Sequence, residues 1–255
     1  MWTVAEAVEA AVEEQGPILD LLREPALLSR HGTTLREAVR EGWVRALPRR
    51  GLYEVVALPS WQPHDELSLV PALVAGADYY VSWWSALSLH GLTEQLPRSV
   101  WVAVKGVYRP GRSVGGARYR FVRLAPQKFF GTYPHRVGRT TVQVANRAKA
   151  VVDAVDHPEY SGGIFEVAKA VASPRVSAAE LIEAARRQGV RSVAQRLGWL
   201  IENVRQEDAG ALRPMRNSGR AVLVSPGGDQ PSHHDPRWNL LVNVDAASLR
   251  ERMLT

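Results

Sequence analysis

The chain has 255 residues, 45% hydrophobic and 23% charged, an ordinary globular composition with room for one large domain or two small ones. With no cysteine, a disulfide framework, a thiolate metal site and a cysteine nucleophile are excluded, and no apolar run approaches the roughly 20 residues that span a bilayer. The formal charge is +6, from 32 Lys and Arg against 26 Asp and Glu, and its distribution points to an anionic partner. The start, Met1-Trp-Thr-Val-Ala-Glu-Ala7, is acidic where a signal peptide is basic, so the expected location is the cytoplasm.

Thr3 and Glu6 form a capping box that opens a first helix, with Val4, Ala7, Val8, Ala11 and Val12 as its apolar stripe. Gly16 stops it, and Pro17 predicts a second short helix through Ile18, Leu19, Leu21 and Leu22. Thr34 and Glu37 cap a third, with Leu35, Ala38 and Val39 inward, Arg36 and Arg40 outward, and Gly42 at its end. Two strands follow, Trp43–Leu47 and Leu52–Val56, joined by Pro48-Arg-Arg-Gly51, a tight turn.

Three short helices and a hairpin make the order of a winged helix-turn-helix, whose third helix enters the major groove while the hairpin tip reaches the flanking backbone. On that reading Arg36, Arg40, Arg45, Arg49 and Arg50 are the DNA-binding residues. Residues 1–60 hold seven Arg and nine acids, yet from Arg30 to Arg50 six Arg face only Glu37 and Glu41, so one half of the module is basic. The fold class expected is α+β: this winged helix over residues 1–62, then a larger mixed α+β domain over 63–255, with a basic, mostly antiparallel sheet and helices. Trp61-Gln-Pro-His-Asp65 reads as the linker.

In the second part, Asp65–Ala75 reads as a helix interrupted at Pro71, and Ser82 as the N-cap of a helix Trp83–His90 stopped by Gly91. From Pro97 to Ala150 the chain has twelve Lys and Arg and no Asp or Glu; the remainder, 20 basic against 26 acidic, carries −6. Ser99–Lys105 and Ala117–Leu124 are strands, and alternation places Arg118 and Arg120 on one face with Tyr119, Phe121 and Arg123 on the other. Lys105, Arg109, Arg112, Arg118, Arg120 and Arg123 are the candidate residues of this basic sheet, its partner a toxin or a nucleic acid. Helices are expected at Arg147–Val155, Gly163–Ala172, from Ser177 with its cap at Glu180, and at Arg191–Val204; a loop at Gln206–Gly219; strands at Ala221–Val224 and Trp238–Val244; and a helix at Ala246–Met253.

Several segments resemble the AbiEi family of antitoxins and transcriptional regulators in their order along the chain. These are Arg49-Arg-Gly-Leu-Tyr53, the Ser82-Trp-Trp-Ser-Ala-Leu-Ser-Leu-His-Gly91 helix, Val144–His157, Gly162-Gly163, Val193-Ala-Gln-Arg-Leu-Gly198 and Trp238-Asn-Leu-Leu-Val-Asn243. At Arg147-Ala-Lys149 the chain departs from the family's more frequent Glu-Lys pair. The resemblance implies an autorepressor whose winged helix binds duplex DNA repeats in its own promoter, and whose second domain counters a nucleotidyltransferase-type toxin. It implies no enzyme activity, no cofactor and no membrane partner, and a monomer in solution or a weak dimer on DNA. Two other readings stay open: a winged-helix regulator with a ligand-sensing second domain, and a nucleic-acid-processing enzyme. The acid-free sheet counts against the second, since nucleases hold metal on strand carboxylates.

Other polar groups read as structural. His233, His234 and Asp235 are adjacent in a Gly/Pro loop without a third ligand at metal spacing. Asp153 is expected to be a buried acid fixing a helix to the sheet, and His90 a capping or core histidine. Gly162-Gly163 reads as a tight connection and Gly111, Gly115 and Gly116 as a hairpin loop.

Overall fold

The computed structural model describes residues 2–47, 50–56, 58, 65–74, 76–106, 110–114, 116–138, 140–219 and 222–251. The first unit runs α1 (Val4–Gln15), β1 (Ile18–Asp20), α2 (Leu27–Arg30), α3 (Leu35–Arg40), β2 (Val44–Ala46) and β3 (Leu52–Val55). Thr3 and Thr34 cap α1 and α3 through complete capping boxes, as their spacing predicts. The expected second helix is instead β1, paired antiparallel with β3 from Ile18↔Glu54 to Asp20↔Leu52. A three-residue segment after a Pro is too short to choose a period, and an unpaired edge of β3 was there to receive it. The sheet order is β1-β3-β2. Gly51, at φ +81°, closes the hairpin because Leu22 packs over it, and a Cβ at this position would collide with the Leu22 side chain.

The second unit is built on a six-stranded sheet of order β6-β7-β5-β4-β9-β8. Its strands are β4 (Tyr79–Val81), β5 (Val100–Lys105), β6 (Arg112–Val114), β7 (Ala117–Leu124), β8 (Thr132–Val137) and β9 (Thr140–Ala145). The pairings β4–β5, β6–β7 and β8–β9 are antiparallel, but β5–β7 and β4–β9 are parallel, so the sheet is more mixed than expected. A 3-10 turn, Glu66–Leu69, and α4 (Val70–Val74) precede it, and α5 (Trp83–Leu89) leaves β4 directly. Four helices follow: α6 (Arg147–Asp156), α7 (Ile164–Ala172), α8 (Ala178–Gln188) and α9 (Arg191–Leu200), the last running into a π-helical turn, Ile201–Arg205. Opposite sheet faces meet different neighbours. The Tyr119 hydroxyl donates to the Glu66 carbonyl at 2.8 Å on one side, and the Tyr80 hydroxyl donates to Asp153 of α6 at 3.1 Å on the other.

A small closing sheet, β10 (Val222–Leu223), β12 (Leu240–Val242) and β11 (His233–Asp235), precedes α10 (Ala246–Glu251). Two sequence expectations change here. The polar Gln206–Gly219 loop contains a 3-10 helix, Gly210–Met215, and the loop histidines lie on β11, paired to β12. Gln195 of α9 donates to the carbonyls of Trp238 and Asn239 at 2.8 and 2.9 Å, and Arg196 to that of Leu223 at 2.9 Å. Gly198 makes room for the buried Trp238 ring, which occupies the space a Cβ would need. Two short segments forty residues apart are thus the two halves of one contact.

The first unit has a core of its own from Val8, Ala11, Leu19, Leu27, Leu28, Ala38, Val44, Val55 and Leu58. Leu47 and Leu52 instead join the larger core of the second unit, with Ile18 packed against it. The expected linker, Trp61–Asp65, lies outside the described residues except for Asp65, which caps the 3-10 turn by accepting from Leu67 N–H at 2.8 Å.

Candidate nucleic-acid interface

Helix α3 owes its start to Thr34, whose hydroxyl accepts from Glu37 N–H at 3.2 Å while Glu37 accepts from Thr34 N–H at 2.9 Å. The Thr34 hydroxyl, which donates to the same carboxylate at 2.8 Å, and then the Thr34 N–H hold the Glu37 carboxyl below its ordinary pKa. Arg36 and Arg40 stand exposed four residues apart, Arg40 reaching only Glu41 at 3.5 Å, a surface contact worth about 0–1 kcal/mol. Val39, expected inward, is 47% exposed and lies on the same outer surface. A six-residue helix buries only its Ala38 side, so one stripe position was left over.

Arg45 is on β2, and its guanidinium donates to the buried Glu54 carboxylate at 2.8 Å across the hairpin. Its side chain remains 57% exposed, so it faces solvent already paired. Arg50 is exposed, while Arg49 lies outside the described residues. On the far side Glu14 accepts from Arg30 at 2.7 Å and contacts His31 at 2.7 Å. Arg30 is thereby used within the unit; among the described residues Arg36 and Arg50 have no ion-pair partner, and Arg40 has the long surface contact to Glu41.

The basic stretch divides by residue type. Its three lysines each meet an acid from outside the stretch: Lys105 with Asp78 at 2.9 Å, Lys128 with Asp156 at 2.5 Å, and Lys149 with Asp153 at 2.5 Å. Among the described residues its arginines Arg98, Arg112, Arg118, Arg120, Arg123, Arg136 and Arg147 have no ion-pair partner. Lys105 therefore leaves the expected free set, and Arg109 lies outside the described residues. Arg112, Arg118 and Arg120 surround a hollow of about 300 Å³ at the β6–β7 edge with Gly111 and Ser113. Arg120 is in register with Trp101 of β5, whose ring stacks on Tyr160 at 4.5 Å. Arg123, on the opposite face by alternation, is exposed as well. A planar guanidinium is weakly hydrated and suited to phosphate, which is why unpaired Arg on an open edge directs attention to an anion.

Under the sheet lies a closed polar network. Asp153 accepts from Lys149 Nζ at 2.5 Å, Ser82 Oγ at 2.7 Å and Tyr80 OH at 3.1 Å, and its carbonyl accepts from Trp83 Nε1 at 3.0 Å. Lys149 also donates to Gln188 at 2.8 Å, and Gln188 to Asp156 at 3.3 Å. Lys149 is 0% and Asp153 2% exposed. Burial pulls the lysine pKa down, opposed by Asp153, and pushes the Tyr80 hydroxyl up. The network secures the β4–α5 junction, where Trp83 has φ +49°, a conformation disfavoured for a bulky side chain. Ser82 occupies the N-cap position, but its hydroxyl is given to Asp153 and not to the helix. Spacing of four between Lys149 and Asp153 was the visible signal of this pair, missed because Lys is so seldom buried.

His90 ends α5 with Nε2 2.7 Å from the Ala145 carbonyl. His233 and His234 are exposed neighbours on β11, where alternation sends them to opposite faces. Among the described residues no helix is long and apolar enough to cross a membrane.

No family model and no curated protein matches the chain. Among solved structures it is similar to the Rv2827c protein from Mycobacterium tuberculosis, with a TM-score of 0.69 and 15% identity over 100% of this chain and 96% of that one. At that identity the likeness establishes the fold, a mixed α+β architecture.

Proposed function

We propose that the chain is a DNA-binding antitoxin and autorepressor, its first unit a winged helix that binds promoter repeats and its second unit countering a nucleotidyltransferase-type toxin. The observation that carries the DNA-binding half is the arrangement helix-strand-helix-helix-strand-strand with sheet order β1-β3-β2 and exposed Arg36 and Arg40 on the third helix. The toxin-directed half rests on the AbiEi resemblance. The reading assigns no catalysis and no cofactor.

The test is fluorescence anisotropy with duplex DNA from upstream of the gene. Arg36→Ala or Arg40→Ala is expected to cost about 1–3 kcal/mol and relax specificity where that residue reaches a base edge. Arg50→Ala should weaken all sequences alike. Operator affinity unchanged in the triple variant overturns the assignment.

One observation supports a second reading, a ligand-sensing regulator. A cleft of about 530 Å³ is lined by Gln15, Ile18 and Leu52 of the first unit and by Ser68, Pro71 and Ala72 of the second. The Ser68 hydroxyl is buried there without a hydrogen-bond partner among the described residues. Operator affinity that changes when Ala72→Trp fills the cleft, in a chain that protects against no co-expressed toxin, would favour this reading.

A further inference from the structure

Away from α3 and from the β6–β7 edge, a cavity of about 700 Å³ lies among His90, the start of β8, the first turn of α6 and one side of α8. That is the size of a site for a nucleotide-scale ligand. The loop before β8 is pressed onto α6. Asn146 N–H donates to the Gly131 carbonyl at 2.7 Å. Gly131, at φ +63°, leaves only 3.1 Å between a Cβ of its own and that of Lys149.

The polar lining is rich in donors. Arg147 and Arg187 are exposed and have no ion-pair partner among the described residues. Arg187 lies over the Phe130 ring, its Cζ 4.7 Å from the centroid, which occupies its flat face and leaves its N–H groups free in the plane. Asn146 commits Oδ1 to Lys149 N–H at 2.9 Å, leaving its NH2 group. Of the two lining carboxylates, Glu180 accepts from Ser177 N–H and hydroxyl at 2.8 and 2.7 Å, so Glu183 is the one left open.

Arg147 is out of place on local grounds. It is the first residue of α6, whose first turn holds no acid, and a cation there opposes the helix dipole. The Ser177 hydrogen bonds first, and the Arg147 charge after them, hold the lining Glu180 carboxyl below its ordinary pKa, so the charge of Arg147 is felt across the cavity wall and not along its own helix. Two rings complete the wall: His90 and Tyr133 have centroids 6.0 Å apart at 39°. A carbonyl only accepts, so the His90 Nε2 beside Ala145 O carries the hydrogen. Burial lowers the ring's pKa, which keeps it neutral with Nδ1 as an acceptor.

We propose that this cavity binds a nucleoside phosphate, free or as the terminal nucleotide of a single strand. Its anionic oxygens meet Arg147, Arg187 and the Asn146 amide. Its heterocycle lies against Tyr133 and His90, with base N–H groups directed to His90 Nδ1 and Glu183. An inorganic anion leaves the rings unused, and an acidic protein surface uses neither rings nor acceptors. Glu183 would repel a bare polyanion but serves a base.

The experiment is calorimetric titration of the full chain with AMP, GMP, CMP, UMP, inorganic phosphate, a polyglutamate peptide, and a short single-stranded oligonucleotide with and without its 5′-phosphate. At least one mononucleotide or the phosphorylated oligonucleotide is expected to bind more tightly than inorganic phosphate. Arg147→Ala and Arg187→Ala should each weaken it about tenfold or more. Tyr133→Leu should weaken nucleotides and leave inorganic phosphate unchanged. Both arginines are exposed, so unaltered thermal melts are expected to accompany the loss. If mononucleotides match the oligonucleotide the ligand is free; if only the phosphorylated oligonucleotide binds, it is a strand end. No saturable binding of any nucleotide at about 1 mM, equal affinity for inorganic phosphate, or preference for polyglutamate overturns the proposal. Operator binding, measured in parallel, stands or falls separately.

Discussion

Asp153 accepts three side-chain hydrogen bonds in a space closed to water, and each donor comes from a different element or turn: Lys149 of α6, Ser82 at the β4–α5 junction and Tyr80 of β4. Removing the acid alone strands a buried ammonium and two hydroxyls. Asp153→Ala is therefore expected to lower stability by about 3–5 kcal/mol, whereas Lys149→Met with Asp153→Leu should recover much of the loss because neither charge then needs a partner. Urea denaturation followed by circular dichroism measures both. A double variant no more stable than Asp153→Ala alone would mean that the hydroxyls and the Trp83 backbone, not the ion pair, set the cost.

At the scale of elements, the β6–β7 edge presents Arg without ion-pair partners among the described residues and α3 presents exposed Arg36 and Arg40, while the three lysines of the basic stretch are each paired with an acid. If the second unit acts on a toxin or its nucleic-acid target, an Arg118→Ala, Arg120→Ala, Arg123→Ala variant should repress its promoter normally and fail to protect cells. Were the sheet to extend the operator footprint instead, the slope of log K against log salt would flatten by about 0.9 for each phosphate that is no longer neutralised. Arg123→Ala alone separates the faces: it lies opposite Arg118 and Arg120, so protection should survive it. A triple variant that both represses and protects as the parent does reduces the edge to a solvated surface. The closing sheet depends on another single position, Gly198, where any side chain would meet the Trp238 ring.

For the whole molecule, the two cores predict partial independence. Residues 65–255 contain nearly all of the larger core but lack Leu47 and Leu52, each worth about 1.5–3 kcal/mol when fully buried. A fragment of those residues should fold with a native circular dichroism spectrum and a lower melting temperature than the full chain; an unfolded fragment would place the boundary elsewhere. Within the described residues, the helices with capping boxes and the strands with strict alternation were legible from sequence, because their signals are local: Thr34 with Glu37, Ser177 with Glu180, Arg118 with Arg120. The sequence by itself also determined the concentration of basic residues and the absence of thiol chemistry. Only the tertiary structure decided that Ile18–Asp20 is a strand, since a three-residue segment takes its conformation from the edge it pairs with. It alone decided that Lys105 and Lys128 are paired, because Asp78 and Asp156 reach them across the fold, and pairing through space leaves no trace in the local pattern.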